Sequence, residues 1–536
     1  MTRKGAGIVL LVATIGVALA LGCQERHPSA TPPPVRAAKP IPESVTETSR
    51  PAGGADSSKV VDPRTLEFEP LEFELPEVER VVLDNGLVVY LMEDHTLPLV
   101  KIYSHTDTGE IYEPADKAGL AALTGDVMRT GGTATMTPDE VNETLEFVAA
   151  QVEVDISRER GVATLDVLTK DLDTGLGIFA DIVRRPRFDE AKIALRKSEL
   201  AEEFLRENDD PQEMLFREFR ELLYGDHPYA RRVIGYPETV ARITRDDLVA
   251  FHARFFHPNN TIMGVSGDFE RDEMLAKLEA AFGDWPKADL DVPEPPPIPT
   301  DFARSLSFVD KELPQSNIII GHLGIDRLDP DYYAAYVLND ILGGGGFGSR
   351  LMEQVRTKAG LAYSVGSYFM APRYTGLFFA YCFTRTKMTE QAIVMILDEL
   401  ERVTREEVSD EEFARAKRAI ENQFVFRFRS AQWIVEQKVE IEAMGLPGDY
   451  LDRYLEIIRA VTKADLVRVA KRLIHPGRAT ILVVGKPEAI DDFPDGFGEF
   501  EPIELEATPV SGLFVDDTAP ADEGGPAEIA PAEGAD

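Results

Sequence analysis

ITRDDLVAFHARFFHPNNTIMGVSG (residues 243–267) and VTKADLVRVAKRLIHPGRATILVVG (residues 461–485) align without a gap, with nine identities that include Asp247/Asp465, Leu248/Leu466, His257/His475, Pro258/Pro476 and Gly267/Gly485. Each copy reads as a helix stopped at His-Pro and followed by an apolar strand that ends at Gly. The same unit recurring a whole domain apart implies an internal duplication, so the folded region is expected to be two related domains. Between them, Asp291–Thr300 (DVPEPPPIPT) suits a semi-rigid linker, which sets the domains at 76–288 and 302–490 with 289–301 as the connection.

Working outward, RVVLDNGLVVYLMED (Arg80–Asp94) alternates apolar and polar residues on both sides of Asp84-Asn85-Gly86, a hairpin signal. Pro138–Val152 and Asp189–Glu207 carry helical periodicity. Strands and helices in both copies predict an α+β fold, each domain a mainly antiparallel sheet packed with helices.

Composition narrows the function. The 536 residues hold 57 Lys+Arg against 94 Asp+Glu, a formal charge of −37 that argues against nucleic acid as a partner. With only Cys23 and Cys382, one chain can build neither a disulfide framework nor a thiolate zinc cluster, so an intrachain metal site must use His and carboxylates. Residues 1–22 read as a lipoprotein signal sequence: Arg3 and Lys4, then an uncharged run from Gly5 to Gly22, then Cys23 as the lipidation site. An uncleaved anchor and ordinary secretory cleavage are the plainer readings of the same segment. The expectation is a membrane-anchored lipoprotein of the bacterial cell envelope, periplasm-facing or on the outer membrane. Residues 23–75, rich in Pro, Ser, Thr and Ala, read as a flexible tether. Residues 491–536 read as an acidic disordered tail, since from Glu488 onward there are fifteen acidic residues and no Lys or Arg.

Three further segments occur in order: LDNGLVVYL (83–91), GLAALTGDVMRTGGT (119–133) and ENDDPQEMLFREFRELLYGDHPYARRVIG (207–235). Together with the duplication, they resemble the insulinase/pitrilysin family of zinc peptidases, in the short two-domain form of the mitochondrial processing peptidase subunits. The resemblance implies two domains facing each other across a chamber. It also implies an inverted His-x-x-Glu-His zinc motif on a helix, with a distant Glu as third ligand. The matching stretch here is Ala122-Leu123-Thr124-Gly125-Asp126, so Ala122 and Asp126 stand at the ligand positions and Gly125 at the base position. Glu203 matches the distal ligand, either as its remnant or as a solvated helix residue, and the glutamate that often precedes it by seven residues is Arg196. No His-x-x-x-His pair exists among the eight histidines to replace the motif, and His257 and His475 read as structural helix ends.

The second domain keeps LGGGGFGSRLMEQVRTKAGLAYSVGS (342–367). In the family an Arg and a Tyr seven residues apart in this region reach the substrate at the zinc of the first half, and Arg356 and Tyr363 match them. A guanidinium can grip a carbonyl or carboxylate, and a phenol can donate to an oxyanion. Gly343, Gly344, Gly345 and Gly346 form a loop whose bare backbone suits an extended peptide, and no Walker lysine follows. The resemblance implies a non-catalytic, substrate-binding subunit that associates with an insulinase-family chain bearing the intact zinc motif. No cofactor is expected in this chain, zinc is expected in the partner, and peptides are the expected substrates. The competing reading is a membrane-tethered pseudo-peptidase that binds peptides or scaffolds another protein.

Overall fold

The computed structural model describes residues 76–290, 292–299, 303–490, 493, 497–505, 510 and 513. The expected signal sequence at 1–22, Cys23 and the expected tether at 23–75 lie outside the described residues. The described residues form one compact unit holding two α+β halves.

The first half has β1 (Glu79–Val82), β2 (Val88–Glu93), β3 (Leu99–Thr106), β4 (Gln151–Ile156), β5 (Gly161–Leu168) and β6 (Thr261–Gly267) in the order β1-β2-β6-β3-β5-β4. The second has β7 (Ser305–Asp310), β8 (Gln315–Leu323), β9 (Ala362–Met370), β10 (Leu377–Arg385), β11 (Thr480–Gly485) and β12 (Glu501–Pro502) in the order β12-β7-β11-β8-β10-β9. The runs 2-6-3-5-4 and 7-11-8-10-9 are the same topology, with β2·β6 and β7·β11 parallel and the remaining pairs within each run antiparallel. The Asp84–Gly86 hairpin forms as expected. Gly86 takes φ +89°, and the Asn85 amide donates to the Phe282 carbonyl at 2.7 Å.

Four helices of the first half bear on the site: α1 (Leu120–Thr130), α2 (Glu190–Arg206), α3 (Pro211–Tyr224) and α4 (Arg245–Phe255). Four from the second half matter equally: α5 (Tyr332–Asn339), α6 (Asp410–Phe424), α7 (Ala431–Ala443) and α8 (Lys463–Leu473). The duplicated helices α4 and α8 begin with the same capping box. Thr244 and Asp247 exchange side-chain and backbone bonds, as do Thr462 and Asp465, which satisfies the orphan amides of the first turn in both copies. One helical expectation overshoots: Pro138–Phe147 is helix, but Ala149 turns left-handed at φ +52° and the chain continues as β4.

Each half lends a helix to the other. Phe216 and Phe219 of α3 meet Phe379 of β10 edge-on at centroid separations of 5.2 and 6.4 Å. In return, Val435 and Val439 of α7 are buried against Tyr90, Val88, Tyr103 and Ile262 of the first sheet. Burial of apolar residues of each sheet against a helix from the other half ties the two halves together. Gly264 of β6 permits this approach: a Cβ there would lie 2.3 Å from Val435 Cγ1. Gly264→Ala is expected to cost about 1–3 kcal/mol in urea unfolding, with much of the loss recovered by adding Val435→Ala.

Polar contacts lock the same interface. The Glu440 carboxylate of α7 accepts from Tyr103 Oη at 2.5 Å and Arg160 Nη1 at 2.6 Å, and lies 3.0 Å from His105 Nδ1. Glu442 takes Arg80 as a two-bond fork, while Arg373 pairs with Asp107 at 2.6 Å. Burial opposes the charge of Glu440, but His105, Arg160 and Tyr103 outweigh it and hold its pKa down to about 2. A depressed carboxylate stabilises the fold above its unfolded pKa, and that contribution, about 3 kcal/mol at full strength, is lost as pH falls from about 4.5 to 2. Glu440→Gln is expected to be less stable than the parent at pH 7 and to lose less on acidification. Parallel unfolding curves at every pH would contradict this.

The tail expected to be disordered is in part folded. Glu501–Pro502 pair in parallel with β7, and Val510 and Leu513 are buried. This segment covers one edge of the second sheet and leaves β9 as its other edge. Cys382 is fully buried on β10, and burial pushes its thiol up to about 12, as befits an inert core residue. No helix among the described residues is long and apolar enough to cross a membrane.

Candidate functional site: a bridged carboxylate pair and an open arginine

The fold brings Ala122, Gly125, Asp126, Arg196 and Glu203 to one place, where α1 packs between β4 and α2. Asp126 is joined to Arg196 by a 2.6 Å bond from Nε, and Nη1 of the same guanidinium reaches Glu203 Oε1 at 2.7 Å and Glu199 at 3.4 Å. Arg196 and Glu203 are seven residues apart on α2, two turns along one face, and this spacing lets a single side chain bridge to α1. Burial works against the charge of Arg196, yet Asp126 and Glu203 outweigh it and raise its pKa above the ordinary arginine value. Burial also pushes Asp126 upward, with Arg196 pulling the other way.

These residues do not fit zinc. Ala122 has no ligand atom, and a permanently charged guanidinium already bridges the two carboxylates that flank the motif position. Among the described residues no group of three or more His, Cys, Asp or Glu could hold a metal ion. The base position is closed as well. A Cβ on Gly125 would meet the Ile156 backbone nitrogen and Cγ1 at 3.0 Å, so the helix packs directly on the edge strand where the family's glutamate would project. Sequence reading identified Glu203 and noted Arg196 only as a missing glutamate. The signal available was charge: an Arg seven residues before a Glu on a helix, opposite an Asp in place of His.

The second cluster lies in the other half. A π-helical turn, Asp340–Gly344, follows α5, and a second, Met352–Lys358, carries Arg356 toward Tyr363 at the start of β9. The two arginines of the motif have different fates. Arg350 is buried and grips Glu412 of α6 with two bonds of 2.6 and 3.0 Å, a structural tie. Arg356 has no carboxylate within 4 Å among the described residues. Its guanidinium lies 5.0 Å from the Phe347 ring and 5.9 Å from the Tyr363 ring, and among the described residues its one polar contact is Met352 Sδ at 3.7 Å. Tyr363 is 79% exposed and Phe347 74% exposed. Phe347 carried no functional signal in the sequence beyond standing inside the glycine loop.

The four glycines divide by role. Gly343 is buried, and a Cβ there would sit 2.3 Å from the Ser367 amide, so it lets the loop pack on β9. Gly344 and Gly345 face solvent, while Gly346 takes φ +59° with open space around it. Among the described residues no hydrogen bond, ion pair or ring contact joins the Arg196 cluster to the Arg356 cluster. His257 and His475 both occupy the residue before the Pro that opens a 3-10 turn, in keeping with a structural helix end.

A duplicated α+β chain whose motif helix has lost its metal donors defines a peptidase-like protein. Residues 88–236 match the family described as Insulinase (Peptidase family M16), and residues 242–420 match the Peptidase M16 inactive domain. The chain belongs to the insulinase family as a peptidase-like member. A protein named Uncharacterized zinc protease from Rickettsia felis is 25% identical over 399 residues, which is 73% of this chain and 93% of the relative. The crystal structure of a peptidase M16 inactive domain from Pseudomonas fluorescens superposes with a TM-score of 0.71 at 25% identity, covering 80% of this chain and all of that one. The periplasmic protease PqqL from Escherichia coli shares the fold with a TM-score of 0.65 at 15% identity, over 77% of this chain and 46% of its own.

Proposed function

We propose that this chain is the non-catalytic, substrate-binding subunit of a two-chain insulinase-family metallopeptidase at the bacterial cell envelope, anchored through lipidated Cys23. The observation that carries this reading is the contrast between the two clusters. Where metal chemistry would sit, Arg196 ties Asp126 to Glu203 in a closed ion network; where substrate would be held, Arg356 and Tyr363 stand open without carboxylate partners. Tyr363 is an exposed phenol at the start of the edge strand β9, and Arg356 beside it has no ion-pair partner among the described residues. In this reading a partner chain with an intact His-x-x-Glu-His motif supplies the zinc and the water activation. Arg356 and the glycine loop hold an extended peptide, which can add as a strand along β9, and Tyr363 donates to the carbonyl oxygen as it gains charge. The periplasmic PqqL neighbour supports the envelope location.

The test is purification from native membranes in mild detergent, with zinc measured on the isolated chain and peptide hydrolysis measured with and without co-purifying chains. The expected result is negligible zinc and no hydrolysis alone, with hydrolysis appearing only with a chain that bears the zinc motif. Recovery without such a chain would replace this reading with a membrane-tethered peptide-binding scaffold, and stoichiometric zinc in the isolated chain would overturn both.

A further inference from the structure

Phe347 and Tyr363 are two large aromatic side chains that are mostly exposed and lie beside Arg356. They flank the same guanidinium, at 5.0 and 5.9 Å. That guanidinium has one weak contact to a thioether sulfur and no carboxylate within 4 Å among the described residues, in a chain with 94 acidic residues available to pair with it. Beside it run Gly344, Gly345 and Gly346, which present backbone without side chains. Arg415 of α6 donates to the Gly348 carbonyl at 2.5 Å, and the Asp340 carboxylate beside Gly345 faces the Arg415 guanidinium.

Aromatic rings near an arginine hold it in place and leave its planar N–H edge free. That edge, with Nε and Nη2 uncommitted, matches a carboxylate as a two-bond fork. The rings then offer apolar surface to whatever side chain adjoins the carboxylate.

We infer that Phe347, Arg356 and Tyr363 form a carboxylate clamp that selects peptides carrying a carboxylate next to an apolar or aromatic side chain. This inference rests on the peptide-binding reading above and adds a substrate class and Phe347 to it. Phe347 is the specificity residue: it touches the ligand's apolar side chain and takes no part in charge recognition. The carboxylate has two sources, the free C-terminus of a peptide and the side chain of an internal Asp or Glu, and the clamp's chemistry is common to both.

The experiment is fluorescence anisotropy on the full chain with three labelled peptides of one sequence. One ends in Phe as a free acid, one ends in Phe-amide, and one is the amide with Asp placed before the terminal Phe. The free acid or the Asp peptide is expected to bind at least about tenfold tighter than the plain amide, with the preference weakening as salt rises. Whichever of the two is preferred identifies the source. Arg356→Gln is expected to abolish the preference, and Phe347→Ala to weaken all three peptides by a similar factor while keeping it. Because Phe347 and Tyr363 are exposed and Arg356 is half-buried without an ion pair among the described residues, circular dichroism and the melting temperature are expected to stay near parental values. Equal binding of the three peptides, or an intact preference in Arg356→Gln, overturns the clamp and leaves peptide binding standing. Failure of the parent chain to bind any of them overturns the peptide-binding reading together with the clamp.

Discussion

Tyr363→Phe is expected to lower kcat/KM for peptide hydrolysis by the two-chain enzyme about 100-fold, most of it in kcat, the cost of removing one oxyanion donor from a preorganised site. The folded chain gives no reason for a stability change. The ring is 79% exposed at the start of an edge strand, and a hydroxyl in water contributes nothing to packing. The variant therefore separates chemistry from folding: an unchanged melting temperature with lost turnover supports the shared site, whereas unchanged turnover removes Tyr363 from it. Arg356→Ala is expected to act on KM as well, because a guanidinium that grips substrate binds it before and during reaction alike.

Arg196→Ala carries the largest expected effect on stability. It would leave Asp126, Glu199 and Glu203 facing one another without their shared cation. Removing one member of a buried ion network costs about 3–5 kcal/mol. Here Asp126 and Glu203 are each more than a third exposed at the side chain, so solvent screening brings the expectation down to about 2 kcal/mol. The loss is read from urea midpoints at pH 7. Because the surplus is negative charge, the double variant Arg196→Ala with Asp126→Ala is expected to recover part of it. An Arg196→Ala variant as stable as the parent would show that the bridge is ornamental and that helices α1 and α2 are held by their apolar contacts alone.

The two variants address opposite halves of one proposal. Arg196 links α2 to α1 through Asp126 at the position of the motif, a tie that the variant removes. Tyr363 is exposed and Arg356 has no ion-pair partner among the described residues, which is why the proposal assigns them to a ligand.

Several features were legible in the residues because they are local or repeated. The duplication stands in Asp247/Asp465 and His257/His475, and the structure repeats it down to the capping threonines, since a helix start is encoded by a few adjacent side chains. The hairpin at Asp84–Gly86 and the helix through Arg196 follow from turn chemistry and periodicity. The change at the motif is equally local, because Ala122 offers no ligand atom and Gly125 no base wherever the chain places them.

Other features depended on distance in sequence. That α7 would cross to the first sheet, and α3 to the second, has no signature in either helix, as an apolar stripe does not name the sheet it covers. The interface at Glu440 joins residues more than 270 positions apart. The tail's short strand on β7 was hidden by its acidic composition, which backbone pairing does not require. The sequence by itself determined two homologous α+β halves, a motif stripped of metal donors and an Arg/Tyr pair at family spacing. Only the tertiary structure decided that Arg196 bridges Asp126 and Glu203, that Arg350 is tied down while Arg356 is open, and that Phe347 stands beside it. A residue type fixes what a side chain can bond to, but which partners come within reach is set by the packing of the whole chain.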